Sequence, residues 1–189
     1  MKKAAASYTL QRVIHEGAHT RVYAGVMPPA QQAVVVKRLR ADYPSLEDMT
    51  RLRHEFKILG SLDHPGIIKP IGLETDQNGL ALVLEDFGGI ALKDYLSHQP
   101  LAIAEFLEIA LQLVGALINL HQNRIVHKDI NPQNILIQPQ SRRVKIIDFS
   151  IASRLSQENS AASNPTLLEG TLAYLSPEQT GRMNRAIDY

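Results

Sequence analysis

His127-Lys128-Asp129-Ile130-Asn131-Pro132-Gln133-Asn134, followed by Lys145-Ile146-Ile147-Asp148-Phe149-Ser150, is the stretch on which the chain's fold and chemistry turn. It sets an Asp, an Asn five positions on, and a second Asp behind an apolar strand-like run. Two carboxylates and an amide in this order offer a proton acceptor and hard oxygen ligands close together along the chain. Asp129 or Asn134 alone would read as a loop residue capping a turn; the ordered set is a more demanding pattern.

The surrounding chain changes character once. Before Gly88-Gly89 it is mostly strand-like: Tyr8–Ile14, Arg21–Gly25, Ala33–Leu39, Ile67–Leu73 and Leu80–Leu84 are rich in alternating or β-branched residues. Met27-Pro28-Pro29-Ala30 marks a turn, because proline fixes φ and cannot donate to a ladder. One helix interrupts this part, with Leu46, Met49, Leu52, Phe56 and Leu59 at helical spacing up to Asp63-His64-Pro65-Gly66. After the glycines, Leu101–Gln122 reads as a long helix, apolar nearly all round, which predicts burial at the centre of a helical lobe. Short strands are expected at Ile135–Gln138 and Val144–Ile147, and a polar loop over 153–166.

Composition bounds the function classes. The 189 residues carry 20 Lys+Arg against 19 Asp+Glu, so no lopsided basic surface for nucleic acid is expected. There is no cysteine, which excludes disulfides and thiolate metal sites. The start, Met1-Lys2-Lys3-Ala4-Ala5-Ala6-Ser7, lacks the apolar core of a signal peptide. The longest apolar runs are broken by Glu, Gln or Asn, so no membrane span and a cytoplasmic location are expected.

The cluster around Asp129 and Asp148 resembles the catalytic loop and metal-binding motif of eukaryotic-type Ser/Thr protein kinases. The resemblance covers Tyr8 to Tyr189 and implies an α+β, two-lobed fold: a β-rich N-lobe over 8–86 and a helical C-lobe over 87–189. It implies ATP and Mg²⁺, a protein substrate, Asp129 as base, and Asn134 and Asp148 as metal ligands. Val34-Val35-Val36-Lys37 matches the strand whose lysine grips the α/β-phosphates, and Glu55 the helix glutamate that pairs with it. The glycine-rich loop is matched only at Gly17 and Val22, with His15 and Thr20 at the other glycine positions. Ile14, Val22 and Ala33 stand as nucleotide contacts. Leu82-Val83-Leu84-Glu85-Asp86-Phe87 resembles the hinge, with Leu84 as gatekeeper and the backbones of Glu85 and Phe87 on the adenine edge. Gly170-Thr171 through Ser176-Pro177-Glu178 resembles the end of the activation segment. There Thr171 implies Ser/Thr rather than Tyr specificity, and Ser160, Ser163 and Thr166 are loop hydroxyls open to phosphorylation.

Three departures bear on activity. Lys128 replaces an arginine whose fork receives a phosphate, and a lysine cannot reproduce that geometry. Asn131 stands in place of a lysine that neutralises phosphate charge, so slower transfer is expected. Ser150 replaces the glycine after Asp148-Phe149. Together with Ser176-Pro177-Glu178-Gln179-Thr180-Gly181-Arg182-Met183-Asn184-Arg185, the catalytic loop looks like that of kinase domains opening large bacterial hybrid signalling proteins with further domains. Kinase domains run to roughly 250 residues, so the helical lobe is expected to be incomplete, with apolar surface on Leu101–Gln122 uncovered. A nucleotide- or partner-binding scaffold without transfer, and an inactive fragment, are the alternatives.

Overall fold

The computed structural model describes residues 7–40, 44–76, 79–98, 100–155 and 170–180. Two units emerge, Met1–Ser61 with Ile68–Asp86 and Leu62–Ile67 with Phe87–Tyr189.

In the first unit the β-branched runs pair into a five-stranded antiparallel sheet of order β1-β2-β3-β5-β4. The strands are β1 (Thr9–Glu16), β2 (Thr20–Met27), β3 (Gln32–Leu39), β4 (Pro70–Asp76) and β5 (Gly79–Glu85). Side chains alternate between sheet faces. Val34, Val36, Ala81 and Val83 bury themselves with Tyr8 on one face. Pairing of Lys37 with Val22 and Leu82 puts these three on the other face. Helix α1 (Leu46–Leu59) packs on β4 and β5. It starts at Ser45, whose Oγ accepts from the Asp48 N–H at 3.0 Å, with Glu47 and Asp48 at the positive end of the helix dipole. Leu52, Glu55, Ile58 and Leu59 form its buried stripe, at the three- and four-residue spacing of one helix face.

The second unit contains β6 (Ile90–Ala91), α2 (Leu92–His98), α3 (Ile103–Gln122), β7 (Ile125–Val126), β8 (Ile135–Ile137), β9 (Val144–Ile146) and β10 (Ser153–Arg154). Strands β6, β8 and β9 form one small sheet, and β7 with β10 another. Leu92, Ile109, Ile135, Ile137 and Val144 make its core. Gly89 is required where it stands, because a Cβ there would meet the Ile137 carbonyl oxygen at 2.9 Å. The segment Leu62–Ile67 goes with this unit. Its Gly66 carbonyl accepts from the Ile146 N–H at 2.8 Å, and Ile67 bridges to Ile146 in parallel. Strand β4 therefore begins at Pro70, later than the apolar run from Ile67 suggests.

Helix α3 departs from the expectation of burial all round and carries the uncovered apolar surface also expected of it. It is not buried all round: only Ile109, Ala116 and Leu120 are buried, while Ile103 is 80% and Leu111 72% exposed. The reason is packing, since among the described residues α3 meets β7 and β9 on one side. By length and composition it is apolar enough to cross a membrane, so the reading that no stretch is apolar enough to do so does not stand. Its Gln112 is tied down instead, accepting from the Val144 N–H at 3.1 Å and donating to the Arg142 carbonyl at 2.9 Å.

An apolar stripe of this size drives association in water. Leu111→Gln is expected to reduce concentration-dependent self-association in sedimentation velocity. Because Leu111 is exposed, its unfolding free energy should stay within about 0.5 kcal/mol of the parent.

Candidate active site

Lys37 and Glu55 form the charged centre of the first unit. Strand pairing points Lys37 toward the face that also carries Leu82, and the buried stripe of α1 brings Glu55 to it. Lys37 Nζ donates to Glu55 Oε2 at 2.8 Å, with Lys37 8% and Glu55 1% exposed. The same register puts Val22, Ala24, Val26, Ala33, Val35 and Leu84 on the lysine's face of the sheet. Val35 and Ala24 lie nearer to Lys37 along that face than Ala33 does. Counting back two residues from Lys37 would have found Val35. The Gly17 N–H donates to the Thr20 carbonyl at 2.8 Å, closing the turn between β1 and β2. Ile14 is half-exposed near that turn. The Glu85 N–H donates to the Lys69 carbonyl at 3.0 Å.

In the second unit, Asp129 is the acceptor at the middle of a web of amides. Its Oδ1 accepts from the Thr171 N–H at 2.8 Å. Its Oδ2 accepts from Asn134 Nδ2 at 2.7 Å, and Nδ2 also reaches the Asp129 carbonyl at 3.0 Å. Asn131 is buried. Its Nδ2 donates to Thr171 Oγ1 at 3.0 Å and to the Asp129 carbonyl at 3.3 Å. Its Oδ1 accepts from the N–H groups of Gln133 at 2.8 Å and Asn134 at 3.3 Å. An amide has two donors and one oxygen with two lone pairs, so Asn131 is saturated facing inward.

Asp148 lies in the left-handed region at φ 61°, and its Oδ1 accepts from the Ser150 N–H at 3.3 Å. The preceding residue joins the two candidate metal ligands, because the Ile147 N–H donates to the Asn134 carbonyl at 2.9 Å. Among the described residues no group of three or more His, Cys, Asp or Glu could hold a metal. One carboxylate and one amide oxygen do suit Mg²⁺, which keeps several waters and takes its other ligands from phosphates.

His127 and Phe149 stack edge to face, with centroids 4.6 Å apart, and both are buried. The Asp129 N–H donates to His127 Nδ1 at 3.3 Å, so the ring proton sits on Nε2, which contacts the Ile147 carbonyl at 3.1 Å. Phe87 and Gln138 make a contact that sequence reasoning missed. Gln138 Nε2 donates to the Phe87 carbonyl at 2.5 Å, fixing the turn ahead of Gly88, which has φ 68°. A glutamine after an apolar strand carries no signal of this. Ser160, Ser163 and Thr166 lie outside the described residues.

The protein kinase domain model matches residues 8–188. The chain belongs to the protein kinase family. Serine/threonine-protein kinase PrkC of Bacillus subtilis is 38% identical over 180 residues, 94% of this chain and 27% of the relative. A probable serine/threonine-protein kinase, PknB of Lactococcus lactis, is 30% identical over 183 residues, 95% of this chain and 29% of the relative. The chain thus spans between a quarter and a third of the length of these two curated relatives. For a kinase domain, the structure brings Lys37 to Glu55, and Asp129 to Asn134, Asn131 and Thr171.

Burial pushes the His127 pKa below its ordinary 6.5, against the opposing pull of the Ile147 carbonyl, Asp148 and Asp129. Such a base contributes stability that is complete above 6.5 and declines as pH falls toward the folded-state value. The denaturation midpoint of the parent should therefore drop between pH 7 and about pH 5.5, and His127→Gln should show a shallower drop. An equal slope in the two would contradict this account of His127.

Proposed function

We propose that this domain transfers the γ-phosphoryl group of ATP to serine or threonine hydroxyls of proteins. The observation that carries the proposal is the convergence on Asp129 of Asn134 Nδ2 and the Thr171 N–H. Two donors hold the carboxylate in one orientation while each oxygen keeps a second lone pair for an incoming hydroxyl. Asp129 takes the proton of that hydroxyl as its oxygen bonds to the γ-phosphorus, and the bond to the bridging oxygen of ADP breaks. Lys37, kept in place by Glu55, holds the α/β-phosphates. Asn134 and Asp148 would hold Mg²⁺, which neutralises phosphate charge when bound. Thr171, beside the base, supports Ser/Thr as acceptor. Ile14, Gly17 and Val22 would cover the nucleotide, with Leu84, Glu85 and Phe87 along the adenine edge.

The motifs around His127 and Ser176 support placing the domain at the head of a bacterial hybrid signalling protein with further domains, acting in the cytoplasm on a protein substrate. Asn131 favours a second reading. Its buried, saturated amide brings no cation to the phosphates, as befits a nucleotide-binding scaffold with slow or absent transfer.

Radiolabelled transfer from ATP·Mg²⁺ to a generic basic protein separates the two readings. The parent should phosphorylate Ser and Thr, and Asp129→Asn should lower kcat by about 10²- to 10⁴-fold with ATP affinity retained. No transfer by a parent that still binds ATP would favour the scaffold.

A further inference from the structure

The peptide between Lys128 and Asp129 is held at both ends. Lys128 lies at φ 67°, a conformation that a residue with a side chain keeps only where its surroundings impose it. The N–H of this peptide, that of Asp129, donates to His127 Nδ1 at 3.3 Å. Its carbonyl, that of Lys128, accepts from Gln179 Nε2 at 2.7 Å. The segment bearing Gln179 approaches this carbonyl closely. At Gly170, with φ 113°, an added Cβ would stand 3.1 Å from the Lys128 oxygen.

The other end of Gln179 is anchored in its own turn. Gln179 Oε1 accepts from the Ser176 N–H at 3.1 Å and from Ser176 Oγ at 3.2 Å. The Gln179 N–H donates to the Ser176 carbonyl at 3.0 Å. Ser176 can only donate through its N–H, so the amide's oxygen belongs on that side and its NH₂ on the Lys128 side. The plane of the 128–129 peptide sets φ of Asp129, and with it the direction in which the carboxylate leaves the backbone.

We propose that Gln179 is a positioning residue for Asp129, locking the Lys128–Asp129 peptide from the far end of the 170–180 segment. The proposal rests on the kinase reading above for its catalytic consequence. Its structural part stands without it. Docking of the Ser176–Thr180 turn and orientation of the base become one event, because a single amide makes both sets of bonds.

Gln179→Glu isolates the contact. It keeps an acceptor for Ser176 and replaces the donor to Lys128 with an oxygen that repels the carbonyl. Two measurements are made on the chain: residue-resolved amide hydrogen exchange, and kinetics of phosphorylation with ATP·Mg²⁺. The Asp129 amide should exchange about tenfold faster in Gln179→Glu, with the Ser176 amide unchanged. The kcat should fall about tenfold, with KM for ATP unaltered. Gln179→Lys, which restores a donor but offers no acceptor to Ser176, should recover the Asp129 protection and the kcat only in part. Unchanged exchange at Asp129 overturns the proposal, and so does faster exchange with kcat intact. If the parent transfers no phosphate, the kinase reading fails, and the exchange comparison still decides whether Gln179 holds the peptide.

Discussion

The first unit is organised around a lysine taken almost entirely out of water. Lys37 is set on β3 by the pairing that faces it toward Leu82, and Glu55 meets it at 2.8 Å. Removing one member of such a pair leaves a buried charge uncompensated and typically costs about 3–5 kcal/mol, whereas replacing both with apolar groups is often neutral or stabilising. Stability alone therefore gives no reason for an ion pair at this point of an otherwise apolar interface between α1 and the sheet. A reason appears when the ammonium is needed at a fixed place for a phosphate. The surrounding elements then become means of holding that charge: the Ser45 cap, the Leu52–Leu59 stripe, and the alternation of β3.

The second unit solves a different problem, that of aiming a carboxylate from a loop. Loops are imprecise supports, and this one is stiffened by side-chain amides. Asn131 closes the loop on itself, Asn134 holds one oxygen of Asp129, and Thr171 and Gln179 hold it from the returning segment. Buried His127 underlies the loop and accepts from it. Asn131 has gained this structural place by giving up the charge that a lysine would supply. The same substitution that argues for slow transfer thus also argues for a well-fixed base.

Much of this was legible in the sequence because it is local. The strands of the first unit follow from β-branched alternation, α1 from its apolar spacing, and the Asp129–Asn134–Asp148 order from its own demanding pattern. Non-local features were not legible. Helix α2 is seven residues long and follows directly on Gly88-Gly89 and β6, too short for a period to declare itself. The two-residue strands β7 and β10 exist only because they pair with each other. Helix α3 reads as apolar all round, and periodicity cannot say how much of such a surface meets a partner. The contacts of Gln138 and Gln179 span 51 residues each, and an amide side chain gives no sign of what it will reach.

The measurement that bears most directly on the central claim compares Glu55→Leu with the double variant Lys37→Met/Glu55→Leu, following both unfolding free energy and ATP·Mg²⁺ affinity. The single variant should lose about 3–5 kcal/mol and the double variant should recover most of it, while ATP binding is lost in the double variant. A double variant that binds ATP as tightly as the parent, or that remains as unstable as the single one, would contradict the view that this pair is kept for a phosphate and not for the fold.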